Sequence, residues 1–501
     1  MRVVMLTDDG RNTDRRIILE ALTLMSSGAE VIIVGRDQAC QTYEIYDHRG
    51  ITCLLINEET DIEALCRDLS RRTGDEGLAP RKGGSAGALR GAGDVPENRR
   101  TWNRGSMPVA LSALTRRLAR WIARASSLRF RGSQSEPVPT RHEITLPDWC
   151  DLSPVIPEKC GTTLEDWGLS PWERMVFTCA KALRPNVVHA HDLPQLLPAV
   201  RAARDLGVPV IYDAHEVYPE ISTLTPELSD YYRRKENFCI PYCDARITVN
   251  EFCAAFMQRK YGCSPFHIIY NMASAQAAAP ASPLDVKSLL GIPLDHRIVL
   301  YQGWIADVGR GIRELIESFR HVRSPTSLVL IGHGDKAAFK AFAEHCRVGD
   351  RVHFVDHIPS DALIAWTLAA DVGVIPYQAV DFNHYACSPN KLFEYISAGL
   401  PLIVNDLPFL RKVVGGEGFG CVCDMRSPEA IAAAIDAFFG EANGIFQKAK
   451  RAVLSQNARW DWKTQDGALL GIYASLHDTQ LAAGPRYAPD RRSGTAFTAP
   501  R

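Results

Sequence analysis

Residues 384–406 read HYACSPNKLFEYISAGLPLIVND and hold one cation, Lys391, and one carboxylate, Glu394, a single helical turn apart. Leu392, Phe393 and Ile396 recur at the spacing of one buried helical face. Ser388, Pro389 and Asn390 stand where that helix begins. Backbone amides at a helix start carry partial positive charge and suit a phosphate, and Lys391 adds a full charge. Glu394, one turn further in, can accept hydrogen bonds from two hydroxyls of a sugar. A phosphate at the helix start and a vicinal diol one turn on describe a nucleotide-sugar. An ordinary amphipathic helix with a surface glutamate shows the same pattern.

Two further groups of residues have chemical potential. The loop GWIADVGRG after residues 297–302 carries Gly303, Gly309 and Gly311, which let backbone approach a phosphate, and Arg310, which can neutralise it. The segments VVHAHD and YDAHE place His189, His191, Asp192, His215 and Glu216 just past two apolar runs. In an open parallel sheet such positions line the ligand crevice. They include metal-ligating types, but a strand-to-helix turn asks for capping Asp residues in any case, and we expect no metal there.

The elements that must position these residues alternate. Arg2–Leu6 reads as a strand. A helix follows with Thr13 or Asp14 as N-cap and apolar positions Ile17, Ile18, Ala21, Leu22 and Met25, and Gly28 closes it. Val31–Gly35 is the next buried strand, so the chain opens as a βαβ unit of a doubly wound parallel sheet. No G-x-G-x-x-G follows the first strand, which argues against a dinucleotide fold of that type. Order resumes at Pro185 with strands 187–191, 208–212 and 244–250 and a helix capped by Asp192, and HIIYNM, residues 267–272, reads as one more strand. The run ASAQAAAPASP, 273–283, has linker composition. The pattern then restarts with strands near 297–302, 328–332, 352–355 and 370–376 and a helix over 312–319. Gly399 ends the 390s helix, Pro401 blocks its continuation and Leu402–Val404 is a strand. Trp460, Trp462, Leu469, Leu470 and Tyr473 mark a last helix, and Trp149, Trp167 and Trp172 fall in a segment read as irregular.

The stretch SPNKLFEYISAGLP resembles the donor-binding signature of retaining glycosyltransferases of the family-four type, which have the α/β GT-B fold of two Rossmann-like domains facing a cleft. The signature has two Glu residues separated by seven positions. Glu394 matches the second, and Ala386 stands where the first would be. VHAHD and YDAHE resemble the first domain of the same enzymes, where the histidine over the reacting sugar corresponds to His215. The DRR run resembles their first unit, whose loop approaches the donor diphosphate, which implies roles for Gly10 and Arg11. The four segments after residue 297 resemble the donor domain in order and spacing. The resemblance thus implies His215, Arg310 and Lys391 as catalytic residues, and Gly10, Arg11, Gly303, Gly332, Ser388, Pro389, Asn390 and Glu394 as donor-binding ones. It implies an acceptor-side domain over 1–272, a donor domain over 273–483 whose last helix braces the first, and a disordered tail over 484–501. The implied reaction moves a sugar from a nucleoside-diphosphate donor to a saccharide or lipid-linked acceptor, with retention, in polysaccharide or glycolipid synthesis. It needs no metal and no cofactor beyond the donor. An epimerase of the same fold would need further acid and base carboxylates in the cleft. A non-catalytic nucleotide-sugar-binding protein is the other alternative.

Composition sets the outer bounds. A chain of 501 residues with 46% hydrophobic content buries more than one core, and a net charge of −1 argues against nucleic acid as a partner. Fourteen cysteines without a C-x-x-C pair match a reducing compartment. The opening MRVVMLTDDG reads as a strand rather than a signal peptide, and no apolar run is long enough to span a bilayer. A cytoplasmic enzyme is expected, peripheral on a membrane. The reason lies in residues 71–141, where fifteen Lys or Arg face five Asp or Glu. Gly, Ser and Pro fill the first part of this insertion, which reads as disordered. Over 107–131, Leu111, Leu114, Leu118, Trp121, Ile122 and Leu128 recur at helical spacing with arginines between, the pattern of a basic helix that lies on an anionic membrane surface or packs on the body of the protein.

Overall fold

The computed structural model describes residues 1–40, 42–75, 146–153, 167–274, 284–440 and 444–482, together with positions 144, 155, 163 and 164. The basic stretch 107–131, most of the 273–283 run and the 484–501 tail lie outside the described residues.

Val3, Val4, Met5 and Leu6 are apolar on both faces and fully buried, as a central strand covered by helices on each side must be. They belong to β1 (Arg2–Thr7), which pairs in parallel with β2 (Glu30–Arg36) and β5 (Val187–His191). Between β1 and β2 runs the helix Arg15–Ser26, capped by Asp14, whose carboxylate accepts from the Arg16 amide at 2.7 Å. The remaining strands of this sheet are β3 (Tyr43–His48), β4 (Ile51–Ile56), β6 (Val210–Ala214), β7 (Ala245–Thr248) and β8 (His267–Ile268), in the order β3-β4-β2-β1-β5-β6-β7-β8. Only β3 runs antiparallel, as an edge hairpin with β4. The second sheet contains β9 (Arg297–Gln302), β10 (Thr326–Ile331), β11 (Val352–Val355), β12 (Val372–Ile375), β13 (Leu402–Asn405) and β14 (Gly420–Cys423), in the order β11-β10-β9-β12-β13-β14, all parallel. The strand order reverses beside β1 in the first sheet and beside β9 in the second, and ligands bind beyond strand carboxyl ends at such points.

Three expectations are corrected. The segment around Trp172 is not irregular: Pro171–Ala182 is a helix with a capping box, in which Ser170 and Glu173 satisfy each other's backbone amides. Its Trp172 is buried, as is Trp167 just upstream. Of residues 267–272 only His267 and Ile268 pair as a strand, because Tyr270 turns away to exchange two hydrogen bonds with the Gln465 amide (2.6 and 3.0 Å). Asp192 sits at the N-cap position of the helix Leu193–Leu206 but makes no capping bond: at φ 62° its carboxylate turns to accept from the His215 amide at 2.9 Å.

The last helix begins later than Trp460. Two 3₁₀ turns, Asn457–Trp460 and Trp462–Gln465, lead into Asp466–Ala482. This segment packs on the first domain. Trp462 donates through Nε1 to Thr23 (2.9 Å), Thr23 donates to Asp466 (2.7 Å), and the Tyr473 hydroxyl meets His189 Nδ1 at 2.8 Å.

Candidate active site

A cavity of about 670 Å³ lies where the carboxyl ends of the two sheets face each other. Its second-domain wall starts from the helix Asn390–Ser397, whose N-cap is Pro389 and whose first turn has no side-chain cap. Those amides therefore open toward the cavity, which Ser388, Pro389, Asn390, Lys391 and Glu394 all line. Pro389 itself has no N–H to offer and its carbonyl accepts from Leu392 at 3.0 Å, so the amides at issue are those of Asn390 and Lys391.

Lys391 is 5% exposed, and its Nζ has no hydrogen-bond partner among the described residues. It lies 3.7 Å from the ring centre of Tyr301 and 4.7 Å from that of Tyr377. Arg310 covers Tyr377 at 4.5 Å, so two basic groups flank one ring. Burial, with Arg310 adding to it, holds the Lys391 amine well below its usual value against the pull of Glu394. Gly303 and Gly332 bring the β9 and β10 loops together. A Cβ on Gly332 would stand 1.8 Å from the Gly303 carbonyl oxygen, and both residues take positive φ.

Glu394 joins the two domains. One carboxylate oxygen accepts from Gln302 Nε2, and the other pairs with Arg15, which reaches over from the first helix and also donates to the Asn271 carbonyl at 3.2 Å. The resemblance implies that Gly10 and Arg11 approach the donor diphosphate from the first domain. In the structure neither lines the cavity. Gly10 packs on Gly35 of β2, and the Arg11 guanidinium turns outward to Asp37 (2.5 Å) and Glu44 (3.0 Å). Arg15 does not line the cavity either, but it is the residue that reaches the second domain, through Glu394. The run of consecutive basic residues signalled a cation here, but helical phase puts Arg15 toward the cleft and Arg16 into the core.

Ala386 is fully buried and packs, with Phe382, into the core of the first domain. The Asn250 side chain donates to its carbonyl at 2.7 Å, and Phe382 stacks on Phe256 at 4.1 Å. Asn383 exchanges two hydrogen bonds with the Val217 backbone (2.8 and 2.9 Å). The position that carries a glutamate in the resembling signature is thus fully buried here, packed on the first domain at the edge of the cavity.

The first-domain wall is formed by the ends of β1, β5 and β6. His215 lines the cavity, with Nε2 3.2 Å from His191 Nδ1 and 3.4 Å from Asp213 Oδ2, and with Nδ1 3.7 Å from Asp192 Oδ2. Burial alone would lower its pKa, but Asp192 and Asp213 outweigh that and raise it to about 10. His191, buried between the cations of His215 and Arg16, drops to about 4 despite Asp213. Beneath them Glu20, His189, His191 and Asp213 form a buried group of metal-ligating types. The Arg16 guanidinium already lies against both carboxylates, 3.0 Å from Glu20 and 2.7 Å from Asp213, and supplies the positive charge a metal would bring.

The geometry joins an uncapped helix start, Arg310, the buried Lys391 amine and the partly exposed Glu394 carboxylate on one wall to a histidine and carboxylates on the other. Known proteins carry similar sequences. Residues 139–276 match the family described as Glycosyltransferase Family 4, and residues 296–440 match Glycosyl transferases group 1. The chain is 24% identical over 318 residues to a glycogen synthase of Mycobacterium tuberculosis, an alignment covering 61% of this chain and 72% of that protein. It is also 24% identical over 306 residues to a D-inositol 3-phosphate glycosyltransferase of Xylanimonas cellulosilytica, covering 58% and 72%. In fold it is similar to a sucrose-phosphate synthase of Thermosynechococcus elongatus (TM-score 0.60, 14% identity, 96% of this chain and 100% of that one). It is similar as well to Anabaena HepE in complex with UDP (TM-score 0.54, 12% identity, 96% and 100%).

Proposed function

Starting from a chain that is a glycosyltransferase of GT-B fold, we propose that it transfers a sugar from a nucleoside diphosphate to an acceptor hydroxyl in the interdomain cavity, with retention. The observation that carries this reading is the uncapped start of the helix Asn390–Ser397 beside Lys391 and Arg310, with Glu394 one turn on. The diphosphate seats on the helix amides and the two cations, and the ribose hydroxyls on Glu394. His215 lines the acceptor-side face of the reacting sugar.

The chemical problem is the leaving group. As the bond from the anomeric carbon to the diphosphate oxygen breaks, the electron pair stays with that oxygen, and Arg310, Lys391 and the helix amides stabilise the charge. The acceptor oxygen forms its bond on the same face, and its proton passes to the departing phosphate oxygen, which gives retention. The cations supply the positive charge, so the proposal takes neither a metal nor a further cofactor. No helix among the described residues is long and apolar enough to cross a membrane. The proposal includes peripheral attachment through 107–131, which would bring the enzyme to a lipid-linked acceptor in polysaccharide or glycolipid synthesis.

The test begins with a thermal-shift screen of nucleoside diphosphates, followed by calorimetry of the best binder on wild type and Glu394→Gln. Loss of charge-assisted hydrogen bonds is expected to weaken binding by about 1–3 kcal/mol, roughly 5- to 150-fold, without unfolding the protein. Unchanged affinity removes the ribose assignment.

A further inference from the structure

On the first-domain wall His215 Nε2 meets His191 Nδ1 at 3.2 Å, and Nδ1 stands 3.7 Å from Asp192. The Asp192 and Asp213 carboxylates beside it hold the imidazole as a cation, which can donate a hydrogen bond but cannot accept one. Its chain neighbour Glu216 is the opposite case. Glu216 follows β6, lines the same cavity and is half-buried, yet it forms no hydrogen bond with any described residue. A carboxylate partly withdrawn from water without a donor is held at a cost, and a hydroxyl that donates to it relieves that cost. Burial comes first in pushing its pKa up to about 7, Asp192 and Asp381 add to the rise, and His215 and Arg310 oppose it. Glu216, His215 and Arg310 line the same cavity, so Glu216 feels both the imidazolium and the cation assigned to the leaving diphosphate.

We propose that Glu216 is the acceptor-recognising carboxylate of this cleft, accepting hydrogen bonds from two vicinal hydroxyls of an uncharged sugar ring and excluding rings that carry a carboxylate or phosphate at that edge. The inference rests on the transfer reading above and deepens it. The selection follows from charge. Asp192 and Asp381 act on Glu216 as like charges, so an acidic acceptor at this edge meets repulsion from three carboxylates, opposed by His215 and Arg310. Arg310 is drawn to the diphosphate once donor is bound. A neutral diol meets none of that repulsion and satisfies Glu216, which has no hydrogen-bond partner among the described residues. Glu216 would thus fix the acceptor ring, while the attacking hydroxyl, a neighbour of that diol, gives its proton to the departing phosphate.

The experiment uses the full chain with the hexose form of the nucleoside diphosphate that the thermal-shift screen selects. Methyl hexopyranosides are compared with the corresponding methyl hexopyranosiduronates as acceptors, for wild type, Glu216→Gln and Glu216→Asp. Wild type is expected to prefer the neutral glycoside by about tenfold or more, the size of a close like-charge penalty in a partly solvated cleft. Glu216→Gln should raise the acceptor KM about tenfold and narrow that preference, and Glu216→Asp should recover part of both. Wild-type acceptor KM should rise as pH falls through about 7, with a flat profile in Glu216→Gln. Affinity for the nucleoside diphosphate reports separately on the second domain and should be retained in both variants. A uronide used as well as the neutral glycoside overturns the proposal, as does Glu216→Gln with unchanged acceptor KM and pH profile. Loss of nucleoside diphosphate binding in Glu216→Gln overturns it too, by assigning the residue to the donor. Absence of turnover with every saccharide in wild type that still binds the diphosphate counts against the transfer reading itself.

Discussion

Replacing Lys391 by Met separates what this residue does for the fold from what it does for the reaction, because the two effects have opposite signs. Met keeps the length and apolar stem but removes Nζ, a buried amine with no hydrogen-bond partner. Removing such a group should stabilise the free enzyme by about 1–3 kcal/mol at neutral pH. Unfolding takes up a proton here, since the native amine titrates well below the 10.5 of the unfolded chain. Wild-type stability should therefore rise with pH between those two values, at up to about 1.4 kcal/mol per unit, while Lys391→Met lacks that slope. The advantage of the variant at pH 7 should shrink toward pH 9. Donor binding runs the other way. A diphosphate beside Nζ favours the charged amine, so binding takes up close to one proton, and affinity falls by up to about tenfold per pH unit over the same window. The variant should bind nucleoside diphosphate about 1.5–3 kcal/mol more weakly and lose about two orders of magnitude in kcat. Urea unfolding at pH 7, 8 and 9 measures the first effect, and calorimetry in two buffers of different ionisation enthalpy counts the proton. A Lys391→Met protein less stable than wild type at pH 7, or a stability gap that does not move with pH, would show that the amine is charged in the free enzyme and refute the reasoning.

His215→Ala should abolish transfer while nucleoside diphosphate binding, measured by calorimetry, survives, because the two rest on different domains. The stability carried by His215 is complete below its ordinary 6.5 and lost as pH rises through about 10, so the wild-type and alanine unfolding curves should converge at high pH. Ala386→Glu, which writes the resembling signature back into the chain, puts a larger side chain at a fully buried position bordering the cavity and should cost about 1–3 kcal/mol in urea unfolding. Deleting residues 107–131 should release the protein from anionic vesicles in co-sedimentation, each surface-proximal arginine contributing about 1 kcal/mol to attachment. Equal partitioning of the two forms, or none by either, would rule out the anchor.

How much of this could be read beforehand depended on the range of the interactions involved. The alternation of strand and helix, the Asp14 cap and the helix carrying Lys391 and Glu394 are written in local periodicity and capping residues, and they appear within a residue or two of where the pattern puts them. The helix Pro171–Ala182 also had a local signal, Ser170-Pro171 with Glu173 three positions after the cap, which the neighbouring tryptophans obscured. What could not be read were pairings across the cleft. Nothing near Arg15 in sequence announces Glu394, and the two tyrosines around Lys391 come from β9 and from the loop after β12. Gly10 and Arg11 were assigned by resemblance to a loop whose glycine here serves close packing against Gly35.

The burial of Phe382 and Ala386 bears on how such a protein can be recombined. A short piece of the second domain, next to the helix that defines the donor site, is seated among Asn250, Cys253 and Phe256 of the first. The join between 273 and 283 is therefore not the join at which the two halves can be exchanged. A chimaera cut there would offer this socket a foreign plug, and its donor helix would start from a backbone held at the wrong height. Shuffling donor specificity into this first domain requires carrying residues 382–386 along with the first domain, as a graft into the incoming one. The unit that packs as the first domain is discontinuous in the chain.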